Sequence, residues 1–85
     1  MTKQEAIERL TKHADLKNSK FQHIKSMEFV YVIDLKIRET NLGMWDVYAE
    51  LPAEQSGKFL YQAVMGIPEI PIDLLLDEKE FRRLT

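Results

Sequence analysis

Residues 27–38 read MEFVYVIDLKIR, and their alternation decides the fold class. Phe29, Tyr31, Ile33, Leu35 and Ile37 fall on one side of an extended chain, and Glu28, Val30, Val32, Asp34, Lys36 and Arg38 on the other, because successive side chains of a strand point to opposite faces. The spacing predicts one continuous strand over 27–38. Immediately after it, Glu39-Thr40-Asn41-Leu42-Gly43 supplies Asn and Gly for the positive-φ positions of a hairpin connection. Trp45, Val47, Ala49 and Leu51 then alternate with Met44, Asp46, Tyr48 and Glu50 in a second, antiparallel strand. Pro52 ends it, having no amide to donate.

Working outward toward the N-terminus, Thr2 and Glu5 have the spacing at which a hydroxyl and a carboxylate satisfy the open amides of a helix start. A helix is expected over 2–15, with Ala6, Ile7, Leu10 and Ala14 as its apolar stripe. Residues 16–25 have no clean period and read as a connection anchored on Phe21 and Ile24. Toward the C-terminus, Lys58 to Met65 alternates as a third strand, or continues a helix from Pro52 that Gly57 interrupts; both readings stay open. Asp77, with Glu80 three residues on, is placed to cap a short helix carrying Phe81 and Leu84 inward.

The expected fold is therefore α+β in the order α-β-β-β-α. An N-terminal helix packs on a three-stranded antiparallel meander, and a short C-terminal helix follows. One domain spans 1–85. A helix followed by three strands is similar in order to PepSY-type and cystatin-like modules over roughly the first two thirds of the chain, and no motif of either accompanies that order.

Composition narrows the function classes. The 85 residues include no cysteine, which excludes a disulfide framework and thiolate chemistry and makes packing the source of stability. No apolar run reaches the roughly 20 residues of a membrane span, no signal peptide is evident, and a cytoplasmic location is expected. The 12 basic and 14 acidic residues are unevenly spread. Lys3, Arg9, Lys12, Lys17, Lys20 and Lys25 outnumber Glu5, Glu8 and Asp15 in the first part of the chain, whereas the hairpin region is acidic.

No catalytic, cofactor-binding or metal-ligating set is expected. His13 and His23 are the side chains that titrate near neutrality, and a minor metal or enzyme site around them is a third-ranked reading. They lack ligand spacing such as H-E-x-x-H. Ser19, Ser26 and Ser56 lack a nucleophile elbow. Asp34 and Asp46 are expected to alternate with Lys36 and Arg38 as cross-strand ion pairs.

The leading reading is a small non-catalytic interaction or regulatory module that binds a protein partner, or itself as a homodimer, through the sheet. One helix covers one sheet face, which leaves Val30, Val32 and Tyr48, with Met44 at the rim, as the partner-binding set. Ile70 to Leu76 is the internal segment able to cover that face instead. The alternative reading is a nucleic-acid-binding accessory that uses Lys12, Lys17, Lys20 and Lys25. Size and acidity fit an accessory factor of the kind encoded by phages and mobile elements.

Overall fold

A computed structural model describes residues 1–52 and 68–85. It is mixed α and β, and among these residues the strands form two antiparallel three-stranded sheets rather than a single meander. In chain order the elements are α1 (Lys3–Lys12), a 3₁₀ turn (Ala14–Leu16), β1 (Lys20–His23), β2 (Phe29–Tyr31), β3 (Asp34–Asn41), β4 (Met44–Glu50), β5 (Glu69–Pro71), α2 (Ile72–Leu75) and β6 (Phe81–Arg83). The first sheet has the order β2-β1-β6 and the second β3-β4-β5. The similarity in order to PepSY-type and cystatin-like modules lapses with the single meander.

The expected strand over 27–38 divides, and the division creates the two sheets. Val32 exchanges backbone hydrogen bonds with the start of the first sheet, its amide donating to Ser19 at 3.0 Å and its carbonyl accepting from Asn18 at 2.8 Å. The next amide, Ile33, donates instead to Glu50 at 2.9 Å. The inward set changes phase across this step. Val30 and Val32 are buried before it, Leu35 and Ile37 face the core after it, and Phe29, Tyr31 and Ile33 are exposed. A run with apolar residues on both parities can bury either side, and here each sheet selects a different one.

The helix starts as its cap dictates: the Glu5 amide donates to Thr2 Oγ1 at 3.2 Å, and the Thr2 amide to Glu5 Oε1 at 2.9 Å. It ends at Lys12, short of 15, and lies against β3 and β4 with Ala6 buried and Ile7 exposed. Trp45 donates to the Met1 carbonyl at 2.8 Å, tying the N-terminus to β4. The hairpin over 39–43 forms, with Asn41 opposite Met44. Its positive-φ residues are Leu42 (47°) and Gly43 (80°), the pair that a two-residue hairpin turn needs. Asn41 is the last residue of β3 instead.

Two further expectations are corrected. Residues 20–23 are a strand, not part of an irregular connection, and although Phe21 is buried, Ile24 is exposed. The C-terminal helix lies at 72–75 rather than after Asp77. The Asp77 carbonyl accepts from the Glu80 and Phe81 amides, turning the chain into β6. A helix of about eight residues has little stability alone, whereas β1 offers a full ladder to pair with. The third strand or helix expected over 58–65 lies outside the described residues.

Ile70 to Leu76 begins as part of a strand and continues as α2, which contacts β4 and β5. It adds β5 to the edge of β4 and places Ile70, Ile72 and Leu75 in the core. That core is shared, with Phe21, Val30, Val32 and Phe81 from the first sheet and its flank meeting Leu35, Val47, Ala49 and Leu51 from the second.

Candidate functional site

Register fixes what the first sheet shows to solvent. Phe21 stands opposite Val30, and His23 opposite Phe81, so these four side chains share the buried side. The other parity makes two rows across the outer face: Tyr31 beside Lys20, and Phe29 beside Gln22, which is itself buried and lies beside Arg82. Phe29 and Tyr31 are 45% and 46% exposed, unusually open for adjacent aromatic positions of a strand. The Lys20 ammonium lies over both rings, 4.3 Å from the Phe29 centroid and 5.4 Å from that of Tyr31. Gln22 is held from two directions, donating to the Met27 carbonyl at 3.1 Å and accepting from the Arg82 guanidinium. The result is an aromatic and cationic face with its amide locked in place.

The turn that delivers β2 to this position is strained. Met27 has φ 64°, a left-handed conformation that disfavours a side chain with a Cβ. Around it, His23 Nδ1 is 2.7 Å from Ser26 Oγ and also accepts from the Ser26 amide at 3.3 Å. Nε2 lies 3.7 Å from Glu80 Oε2, and the ring packs on Phe81 with centroids 5.0 Å apart. A serine, a histidine and a carboxylate thus stand in series. The Ser26 amide and hydroxyl both hydrogen-bond with Nδ1, and the Glu28 amide donates to Ser26 Oγ at 3.3 Å, which makes the group a cap for the turn.

No family model, curated protein or solved structure matches this chain.

The residues expected to bind a partner are divided between the sheets. Val30 and Val32 are fully buried and offer no surface in this fold. Met44 is exposed on β4 and Tyr48 is half-buried there, with the Arg38 guanidinium 5.2 Å from its ring centroid. Of the four lysines, only Lys20 belongs to the aromatic face. Lys12 ends α1, Lys17 follows the 3₁₀ turn and Lys25 lies in the β1–β2 connection. His13 and His23 face different groups, His13 near the carboxylates of Asp15 and Asp73, and His23 near Ser26 and Glu80. Among the described residues no cluster of three metal-ligating side chains occurs.

The polar face of the second sheet does carry ion pairs, though not those expected. Asp34 stands opposite Glu50 and Arg38 opposite Asp46, while the close contacts converge on Glu69. Lys36 Nζ is 2.9 Å from one Glu69 oxygen and 3.4 Å from Glu50 Oε1, and the Arg38 guanidinium meets the other Glu69 oxygen. The Glu69 side chain is 1% exposed, so these cations are its compensation for burial. Farther along, Arg9 bridges Asp73 and Asp46, and its hydrogen bond holds the Asp73 carboxyl below the usual carboxylate range.

A cleft of about 510 Å³ opens between β6 and α2, lined by Phe21, Ile24, Leu75, Leu76 and Phe81, with Glu78, Arg82 and Arg83. Its size suits a small ligand, but the Arg83 guanidinium at its edge is occupied by Asp15 at 2.8 Å. The aromatic face is the residue set that sequence reading missed. Its signal is the polar-aromatic match of Lys20-x-Gln22 with Phe29-x-Tyr31 on either side of a turn-rich stretch.

Proposed function

We propose that the protein is a cytoplasmic, non-catalytic interaction module that binds its partner through a β-sheet, and that the working surface is the outer face of β2-β1-β6. The observation that carries this reading is the pair Phe29 and Tyr31, two exposed rings on one strand with a cation held against them. Exposed aromatic area beside cations is the composition of binding hot spots. The charges of the second sheet, by contrast, satisfy one another. No helix among the described residues is long and apolar enough to cross a membrane.

Site-specific photocrosslinking tests the reading. A benzophenone side chain at position 31 is expected to trap a partner in the host cell, whether a second copy, another protein or a nucleic acid, and the same group at position 44 on the second sheet is expected to trap none. Adducts from position 44 without adducts from 31, or none from either, would remove the proposal.

A further inference from the structure

Resting on that reading of the sheet face, we infer that the partner is a single-stranded nucleic acid. Its bases stack on Phe29 and Tyr31, and its phosphates are held by Lys20 and Arg82. The two rings project from positions two residues apart, about 6.7 Å along a strand. Each has a cation in or near its row, Lys20 beside Tyr31 and Arg82 beyond Gln22 from Phe29. Repeated ring-and-cation rows match a polymer that repeats a flat base and a negative charge, which is the design of stacking platforms for single strands.

Charge supports the same class. The described strand positions of this face carry Lys20 and Arg82 and no acidic side chain. Glu80, just before β6, turns to the opposite side, where it meets His23 Nε2. The protein as a whole has a net charge of -2, so a basic face survives only because the acids are engaged elsewhere, as Glu69, Asp73 and Asp15 are by Lys36, Arg38, Arg9 and Arg83. Lys20 over the rings marks where the ligand goes. The ammonium stands over both rings, and a single strand brings a phosphate to the ammonium and bases to the exposed part of the rings. A duplex cannot do this, because its bases are already stacked and the sheet has no element that enters a groove.

With two cations engaged, the salt dependence is shallow, with a slope of log K on log salt near −1.4 for about two single-strand phosphates. Gln22 is locked by Arg82 and Met27, which leaves little hydrogen-bonding capacity for reading a base. Sequence discrimination is therefore weak.

The test is fluorescence anisotropy with the whole purified chain and labelled oligothymidine of about ten nucleotides, within the usual site size of a single-strand binding fold. A labelled duplex of equal length is the comparison, at about 50 and 200 mM salt. The single strand is expected to bind with a Kd on the order of 10–100 µM, the lower-affinity range of non-specific binding, and the duplex at least several-fold more weakly. Phe29→Ala and Tyr31→Ala should each weaken binding roughly ten-fold, with Tyr31→Phe close to wild type. Lys20→Gln should lower the salt slope by about 0.7, and the double variant Lys12→Gln, Lys25→Gln should bind nearly as wild type. Urea midpoints of all variants verify folding.

An absence of single-strand binding overturns the inference, as does binding that survives both alanine variants or is lost with Lys12 and Lys25 instead. If oligonucleotides fail while the crosslinker at position 31 traps a protein, this inference falls and the interaction-face reading stands. If neither gives a signal, both fall.

Discussion

On the polar face of β3-β4-β5, Lys36 and Arg38 converge on Glu69, and Glu50 lies beside Lys36. On the outer face of β2-β1-β6, Lys20 lies over two rings and Arg82 donates to an amide. Both surfaces contain two cations, yet only the first has carboxylates to match them. A compensated cluster with a buried acid at its centre is a structural device, since removing any member exposes the cost of the others. Cations held by neutral partners can be recruited by an incoming anion at little cost to the fold. Where the charge goes, rather than how much there is, separates the sheet that builds the domain from the sheet that we propose to work.

The strongest way to break this comparison is to destroy the crossing that keeps the sheets apart. Val32 is buried at the step where the chain leaves one sheet for the other. Val32→Glu places a carboxylate there without a cation, and a loss of about 4 kcal/mol or more is expected, enough to unfold a domain this small. Circular dichroism and urea titration should show an unfolded or severely destabilised chain. A folded variant of near-normal stability would mean that the crossing is not the organising point of the core.

A smaller effect is expected from Glu69→Ala. It leaves Lys36 and Arg38 facing one another without their shared acid, but both are partly solvated and can rehydrate. We expect about 2 kcal/mol of lost stability, below the cost of breaking a fully buried pair, measured by urea unfolding. Oligonucleotide binding at the first sheet should persist below the lowered melting temperature. Equal losses of stability and binding would show that the two faces are not independent.

These expectations rest on features that were unequally legible in the sequence. The capping box of α1 and the β3-β4 hairpin are local: Thr2 and Glu5 lie within one turn, and the two strands flank Leu42-Gly43 directly. The inward set Val47, Ala49 and Leu51 follows from simple alternation. The split after Val32 was not legible, because Phe29 to Ile33 is apolar on both parities and only the partner strands select which side is buried. β6 was hidden for a related reason. Its pairing with β1 joins His23 to Phe81 across a long separation, and Asp77-x-x-Glu80 makes an equally good local argument for a helix cap. The aromatic face depended on both errors, since Phe29 and Tyr31 were assigned the inward side of one long strand and Arg82 a helix.

The finest contrast between the sheets lies in how acid loosens their flanks. Arg9 holds the Asp73 carboxyl beside the second sheet, and Arg83 holds the Asp15 carboxyl beside the first; both carboxyls ionise below their usual range, chiefly through the arginine hydrogen bond. In each case the unfolded chain takes up its proton at a higher pH than the folded one. Between those two values the unfolded state binds more protons, so stability falls as pH drops from the ordinary carboxylate value near 3.9 through the lowered folded value. Above about pH 5 both contributions are complete. The two aspartates are equally open to solvent, but the Arg9 side chain is 23% exposed against 41% for Arg83 and also lies 3.8 Å from Asp46, so the Asp73 pair is the less screened of the two. Asp73→Asn should therefore lower the melting temperature at pH 6 by a few degrees, corresponding to about 0.5 kcal/mol, and flatten its decline between pH 4 and 2. Asp15→Asn should change both by less. Thermal melts followed by circular dichroism across that pH range measure the difference, and a larger effect from Asp15 would place the acid-sensitive anchor on the first sheet, against the division of labour argued from Lys36, Arg38 and Glu69.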